Sequence, residues 1–245
     1  MRLDRYIVLR GLADSRTKAK ALIDGGFVSV DGQEVRKDAY DIDENNAPAV
    51  IVAESPETKY VGRGGLKLEA ALDAFSVDVS GKCCCDIGAS TGGFTDCLLR
   101  RGAKIVYAVD SGVGQLVPSL RADSRVVSIE GFNARVLDRE TLDGCAPELI
   151  VMDVSFISQT LLYDAIRRVA SPHADIITLI KPQFEAGRAA VGKNGIVKDE
   201  KVRRKVIDDV SSFAASLGFT VCGVIPSPIT GGSGNKEFLM HMKAQ

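Results

Sequence analysis

At 245 residues the chain is long enough to bury a sizeable core, as one large domain or as a large and a small one. Its formal net charge of −1 excludes a global electrostatic pull toward nucleic acid or any other charged partner, so a basic site has to be local. Six cysteines, three of them consecutive and none in a C-x-x-C pair, and only two histidines, far apart in sequence, argue against a disulfide framework or a metal site; reduced thiols are expected. The charged opening Met1-Arg2-Leu3-Asp4-Arg5 leads to no long apolar run, and no segment approaches the roughly 18 apolar residues of a membrane span. A soluble, unexported, cytoplasmic protein without stable membrane association is expected.

Leu3, Tyr6 and Ile7 recur at helical spacing over residues 2–10, and Gly11 supplies a stop. Ser15 can cap a second helix, Arg16–Asp24, which Gly25-Gly26 ends. Two short strands then flank an Asp31-Gly32 turn within Phe27-Val28-Ser29-Val30-Asp31-Gly32-Gln33-Glu34-Val35. Residues 1–37 carry eight Lys or Arg and five Asp or Glu; residues 38–57 carry six acids and no Lys or Arg. Arg16 and Lys20, four apart on one helix, can approach neighbouring phosphates together, although such a pair is also what a solvated helix face looks like.

The order of short pieces here, R-L-D, S-R-x-x-A, L-I, a glycine and V-x-V-D-G, resembles the S4 RNA-binding domain over about the first forty-five residues. The resemblance implies a small α+β module that faces structured RNA with Arg16, Lys18 and Lys20, and also with Arg2 and Arg5. Folded RNA is read mainly through shape and phosphates, which suits a compact basic module.

Asn45-Asn46-Ala47-Pro48 reads as a turn, Val50-Ile51-Val52 as a last strand of the module, and Glu54-Ser55-Pro56-Glu57-Thr58 as a linker. The boundary is placed near Glu57, giving domains 1–57 and 58–245. Tyr60-Val61-Gly62-Arg63-Gly64-Gly65 opens a helix, and from Lys82 onward strands and helices alternate. Strand-like runs end at Asp86, Asp110, near Ile129, at Asp153 and at Lys181; two more lie at 220–225 and 237–242. Repeated βα units imply an α/β, doubly wound, Rossmann-like domain with a mostly parallel seven-stranded sheet and ligands at the carboxyl ends of its strands. The Gly-rich turn 231–235 before the last strand predicts an antiparallel hairpin at one edge.

The first crossover carries Asp86-Ile87-Gly88-Ala89-Ser90-Thr91-Gly92-Gly93-Phe94-Thr95. A strand ending in an acid, a glycine-rich turn and a helix start bring free N–H groups and close backbone approach to one place. The pattern is not the dinucleotide G-x-G-x-x-G. D-x-G-x-x-x-G-G resembles the first motif of S-adenosylmethionine (SAM) methyltransferases, which implies cofactor contacts from Asp86, Gly88, Ala89, Ser90, Gly92, Gly93 and Phe94. Asp110, 17 positions after Gly93, is placed to accept hydrogen bonds from ribose hydroxyls, or to cap the segment that follows it. Asn133 follows the third strand, where methyltransferases contact adenine; a loop Asn can equally be a turn residue.

Asp153 and Lys181 each close an apolar strand where the sheet opens, and a charge there is costly unless paired or functional. With Lys67 and Glu237 they give the order Lys67, Asp153, Lys181, Glu237, the K-D-K-E tetrad of the FtsJ-like RNA ribose 2′-O-methyltransferases. With an S4 module in front, the chain resembles the TlyA (haemolysin A-like) ribosomal RNA methyltransferases through nearly its full length. Further pieces that carry the resemblance are Y-V-G-R-G-G-L-K-L, V-D-S-G-V-G-Q-L, M-D-V-S-F-I-S, L-I-K-P-Q-F-E-A-G-R and N-K-E-F-L. Ser90-Thr91 stands where the wider FtsJ pattern often has Ala-Pro.

The resemblance implies methyl transfer from SAM to a ribose 2′-hydroxyl, with S-adenosylhomocysteine as product and ribosomal RNA or ribosomal subunits as partner. Lys181 becomes the candidate base or charge stabiliser, Asp153 orients it near the methyl, and Lys67 and Glu237 hold the ribose and the network. Arg63, and Arg188 and Lys193 in a glycine-rich segment read as a mobile loop over 185–199, are candidate RNA contacts. Competing readings are an RNA-binding factor without turnover, a haemolysin-type membrane-active protein, and an NAD-dependent oxidoreductase.

Overall fold

The computed structural model describes residues 1–245 except Asp14, Glu44, Asn45, Ala47, Glu54, Pro56, Glu57 and Thr58 and the side chains of Arg188 and Lys193. The turn expected at Asn45-Asn46-Ala47-Pro48 and most of the linker, including Glu57, therefore lie outside the described residues. Two compact units are present, Met1–Arg63 and Gly64–Gln245.

In the first unit, helices α1 (Leu3–Leu9) and α2 (Arg16–Asp24) bury Leu3, Ile7, Ala19, Leu22 and Ile23 against Val28, Val30, Val35 and Ile42. Ser15 caps α2, its hydroxyl accepting from the Lys18 amide at 3.3 Å. Strand β1 (Val28–Val30) pairs antiparallel with β2 (Gln33–Glu34) across the Asp31-Gly32 turn and with β3 (Val50–Val52) on its other side. Asp4, buried on α1, receives Arg16 Nη2 at 2.7 Å and Arg2 Nε at 3.1 Å. Hydrogen bonding from Arg2 and Arg16 holds its carboxyl down at about 2.

The second unit begins with α3 (Gly64–Phe75) and continues as β4 (Cys83–Ile87), α4 (Gly93–Arg100), β5 (Ile105–Val109), α5 (Pro118–Arg121) and β6 (Val126–Ile129). Then come β7 (Leu149–Met152), α6 (Tyr163–Val169), β8 (Asp175–Ile180), the single turn α7 (Pro182–Glu185), α8 (Glu200–Ser216), β9 (Thr220–Pro226) and β10 (Phe238–Lys243). The sheet order is β6-β5-β4-β7-β8-β10-β9. Strands β4 to β8 are parallel, while β10 lies antiparallel between β8 and β9. The parallel strands read as near-continuous apolar runs because helices cover both faces, and Cys85, Ile87, Ile150, Met152, Ile176 and Ile180 fall in one core. The connections leaving the adjacent strands β4 and β7 run in opposite directions, to β5 on one side and to β8 on the other. That switch point opens a crevice at the carboxyl ends of the strands.

Cys83, which opens β4, has its sulfur beside that of Cys145, which precedes the neighbouring strand β7. Strand adjacency brings together two cysteines 62 positions apart in a pattern that no spacing rule flags. One expectation needs correction. The 185–199 segment is fastened rather than free at its far end. Asn235 donates to Gly195 O at 2.8 Å and accepts from the Val197 amide at 3.0 Å, and Arg203 Nη1 donates to Val197 O at 3.0 Å.

Candidate active site

The glycine turn after β4 is shaped by close backbone approach. At Gly88 (φ +86°) a Cβ would stand 2.5 Å from the carbonyl oxygen of Asp153, so only glycine lets this turn pass the end of β7. Gly92 (φ +101°) is the left-handed cap from which α4 starts. Asp110, just beyond β5, accepts from the Ser90 amide at 2.8 Å and the Gly112 amide at 2.7 Å. Its carboxylate thus ties the first turn to the second, and each oxygen keeps a lone pair for a hydroxyl donor.

These turns border a cavity of about 370 Å³. Gly88, Ser90, Asp110, Asn133 and Asp153 line it, together with Ser111, Gln115, Phe132, Ser155 and Phe156. Asn133 also caps a short 3₁₀ turn by accepting from the Arg135 amide at 3.1 Å. Ala89, Gly92, Gly93 and Phe94 do not form its wall, and Phe94 is buried. Asp86 lies inside the protein, where Thr95 Oγ1 donates to its Oδ2 at 2.6 Å. Its Oδ1 is buried and meets no partner among the described residues. Burial pushes this carboxyl up to about 7, against the pull of Thr95.

The four tetrad residues form two ion pairs. Lys67, from α3, places Nζ 2.6 Å from Glu237 Oε2, with side chains 9% and 3% exposed. Lys181, the residue after β8, places Nζ 2.6 Å from Asp153 Oδ1 and donates to Ser155 Oγ at 2.7 Å. Phe238 pairs with Ile180 in the antiparallel ladder, so one step beyond it Glu237 stands opposite Lys181. Residues so opposed have Cβ atoms about 5 Å apart, which sets the two ion pairs side by side at the sheet's open edge. Gly231 leaves room for the Glu237 carboxyl, which a Cβ there would strike.

Sequence reasoning missed three residues at this edge. Ser155 is the second partner of Lys181. Phe156 is 88% exposed, holds a left-handed φ of 68°, and stacks its ring 5.4 Å from Phe184. Such a backbone is strained for a bulky residue and needs fastening. Glu185 supplies that fastening by accepting from Ser158 Oγ at 2.6 Å and the Gln159 amide at 2.9 Å. Their signal was the polar and aromatic run Ser155-Phe156-Ile157-Ser158 directly after a buried strand.

Of the expected RNA contacts, Arg2, Arg5, Arg16, Lys20 and Arg63 are exposed and Lys18 is half-buried. Arg2 also reaches Asp38 at 2.9 Å, and Lys20 Nζ lies 3.8 Å from the same carboxyl. The side chains of Arg188 and Lys193 lie outside the described residues.

A family model described as FtsJ-like methyltransferase matches residues 60–244, and the S4 domain model matches residues 1–47. The chain belongs to the FtsJ-like methyltransferase family. Among relatives of this FtsJ-like protein, "16S/23S rRNA (cytidine-2′-O)-methyltransferase TlyA" of Mycobacterium tuberculosis is 44% identical over 244 residues, covering 100% of this chain and 90% of that one. "Hemolysin A" of Brachyspira hyodysenteriae is 46% identical over 241 residues, covering 98% and 99%. An S-adenosylmethionine dependent methyltransferase from Listeria monocytogenes superposes with a TM-score of 0.55 at 15% identity, covering 74% of this chain and 99% of that chain, a likeness of fold alone.

Proposed function

We propose that this FtsJ-like protein transfers a methyl group from SAM to a ribose 2′-hydroxyl of ribosomal RNA. On this reading residues 58–245 perform the chemistry and residues 1–57 dock the RNA, in the cytoplasm where ribosomes lie. The observation that carries it is the pairing of Lys67 with Glu237 and Lys181 with Asp153, side by side at the sheet's open edge, with Asp153 also lining the Asp110 cavity. The 44% identical relative is named for the same reaction on cytidine.

The residues present fit the cofactor. The cavity has the size of a small-molecule site, and the carboxylates of Asp110 and Asp153 on its wall suit ribose hydroxyls and a cation. Asp86, with one unpartnered buried oxygen behind the same turn, adds a third acid. When bound, SAM supplies a sulfonium methyl already activated toward a nucleophile, and S-adenosylhomocysteine is the product.

The protein's share is placement and proton handling, because a 2′-hydroxyl is a poor nucleophile until its proton moves. Asp153, itself on the cavity wall, pairs with Lys181 behind it. Lys181 accepts the hydroxyl proton, or as a standing ammonium it stabilises the developing alkoxide while solvent takes the proton. Lys67 and Glu237 neutralise each other beside it and offer hydrogen bonds to the ribose. The name Hemolysin A, borne by one relative, gives these buried pairs no role.

The test is incubation of the full chain with ribosomal subunits and labelled SAM, followed by mapping of 2′-O-methylated positions. Label in RNA at a defined ribose is expected. SAM binding without transfer to either subunit would favour the RNA-binding factor and sink the enzyme.

A further inference from the structure

We infer that Ser155 is a positioning residue for this reaction: by accepting a hydrogen bond from the Lys181 amine, beside the Asp153 carboxylate, it turns a free N–H position toward the substrate oxygen. The inference rests on the proposed methyl transfer and concerns a residue outside the K-D-K-E set.

A lysine amine ends a flexible four-carbon chain, and its orientation has to be imposed. One carboxylate fixes a distance but leaves the amine free to swivel about the contact. In this protein Nζ donates one hydrogen bond, to Ser155 Oγ at 2.7 Å, and lies 2.6 Å from Asp153 Oδ1 in an ion pair that lacks hydrogen-bond geometry. Of the three N–H directions of an ammonium, the bond to Ser155 fixes one, and the carboxylate's charge restricts rotation about it. Both partners come from one short loop after β7, and Ser155 and Asp153 both line the cavity.

Ser155 is exposed, and nothing in its own packing would keep it there. The loop is held from further along. Glu185 accepts from Ser158 Oγ and from the Gln159 amide, tying the chain after Asp153 to the turn after Lys181. The Phe156 ring against Phe184 makes a further crossing between the same two segments. These contacts flank the Ser155–Lys181 bond and preset its geometry.

In the reaction the C–O bond to the 2′-oxygen forms as the methyl–sulfur bond breaks, and the hydroxyl proton leaves to Lys181 or to solvent. Ser155 takes no proton and forms no bond. Its effect runs through the fraction of time Lys181 is aligned, so it appears in the rate of transfer at saturating SAM.

Wild type, Ser155→Ala and Ser155→Thr are compared as full chains in single-turnover methylation of ribosomal subunits with labelled SAM. Ser155→Ala is expected to slow the maximal rate, measured at saturating SAM, about 10- to 100-fold, with the SAM Kd measured alongside because Ser155 lines the cavity. Ser155→Thr, which keeps the hydroxyl, is expected to stay within about threefold of wild type. A Ser155→Ala rate equal to wild type overturns the inference. So does Ser155→Thr as slow as Ser155→Ala, which assigns the loss to packing. A wild type that transfers no methyl overturns the functional reading itself, and that arm is read before any variant.

Discussion

Lys67 and Glu237 lie 170 positions apart in sequence, yet their side chains meet at 2.6 Å inside the protein. A buried pair adds little net stability compared with apolar residues, but removing one partner strands a charge, at a cost of about 3–5 kcal/mol. Lys67→Met and Glu237→Gln are each expected to lower unfolding free energy by about 3 kcal/mol in urea titrations. The double variant should lose clearly less than the sum of the two. Additive losses would mean the two groups are solvated independently and that the tetrad is not assembled as described.

On the proposed mechanism Lys181 is the group on which the chemistry turns. Lys181→Ala is expected to abolish transfer to ribosomal RNA while SAM binding, measured by calorimetry, survives, because Lys181 is not part of the cavity wall. Undiminished methylation by Lys181→Ala would remove the residue from the mechanism.

Asp86 makes stability depend on pH in a direction opposite to most carboxylates. Burial raises its folded-state pKa to about 7, above the ordinary value of 3.8. The folded state therefore favours the neutral acid, fully below about pH 4, and that contribution is lost as pH rises through 7. Between pH 5 and 8 the loss is on the order of 2 kcal/mol. Asp86→Asn mimics the neutral form, so its melting temperature relative to wild type should climb across this range. A difference that stays flat with pH would show that Asp86 is ionised and solvated in the fold.

Much of this fold was legible because each part had a local cause. The Ser15 cap, the Asp31-Gly32 turn and the apolar strand runs follow from short-range chemistry, and the elements formed where those signals lie. The tetrad was legible only through resemblance: nothing in the spacing of Lys67 and Glu237 reveals that β10 inserts between β8 and β9 and carries Glu237 to Lys181. The Cys83–Cys145 approach and the Ser155 and Glu185 contacts were illegible for the same reason, since each depends on which strands become neighbours. Phe94 shows the converse. It belongs to a motif that binds a ligand, yet on an amphipathic helix its own position faces the core.

The first unit offers a prediction in which stability and RNA binding come apart. Arg16 is half of the pairing that keeps Asp4 ionised, whereas Lys20 reaches, among the described residues, Asp38 at 3.8 Å from an exposed position. Lys20→Ala is expected to weaken binding to ribosomal RNA and reduce the salt slope by about 1, with hydrogen exchange in α1 and α2 unchanged. Arg16→Ala should weaken binding similarly and also speed exchange in both helices, because Asp4 is then left buried with one guanidinium fewer. Acid reproduces that second effect. The folded-state pKa of Asp4, about 2, lies below its ordinary 3.8, so its contribution is present above 3.8 and drains away as pH falls toward 2. Asp4→Asn should show no such dependence. Salt slopes unmoved by either basic variant would place the RNA on another face of the unit.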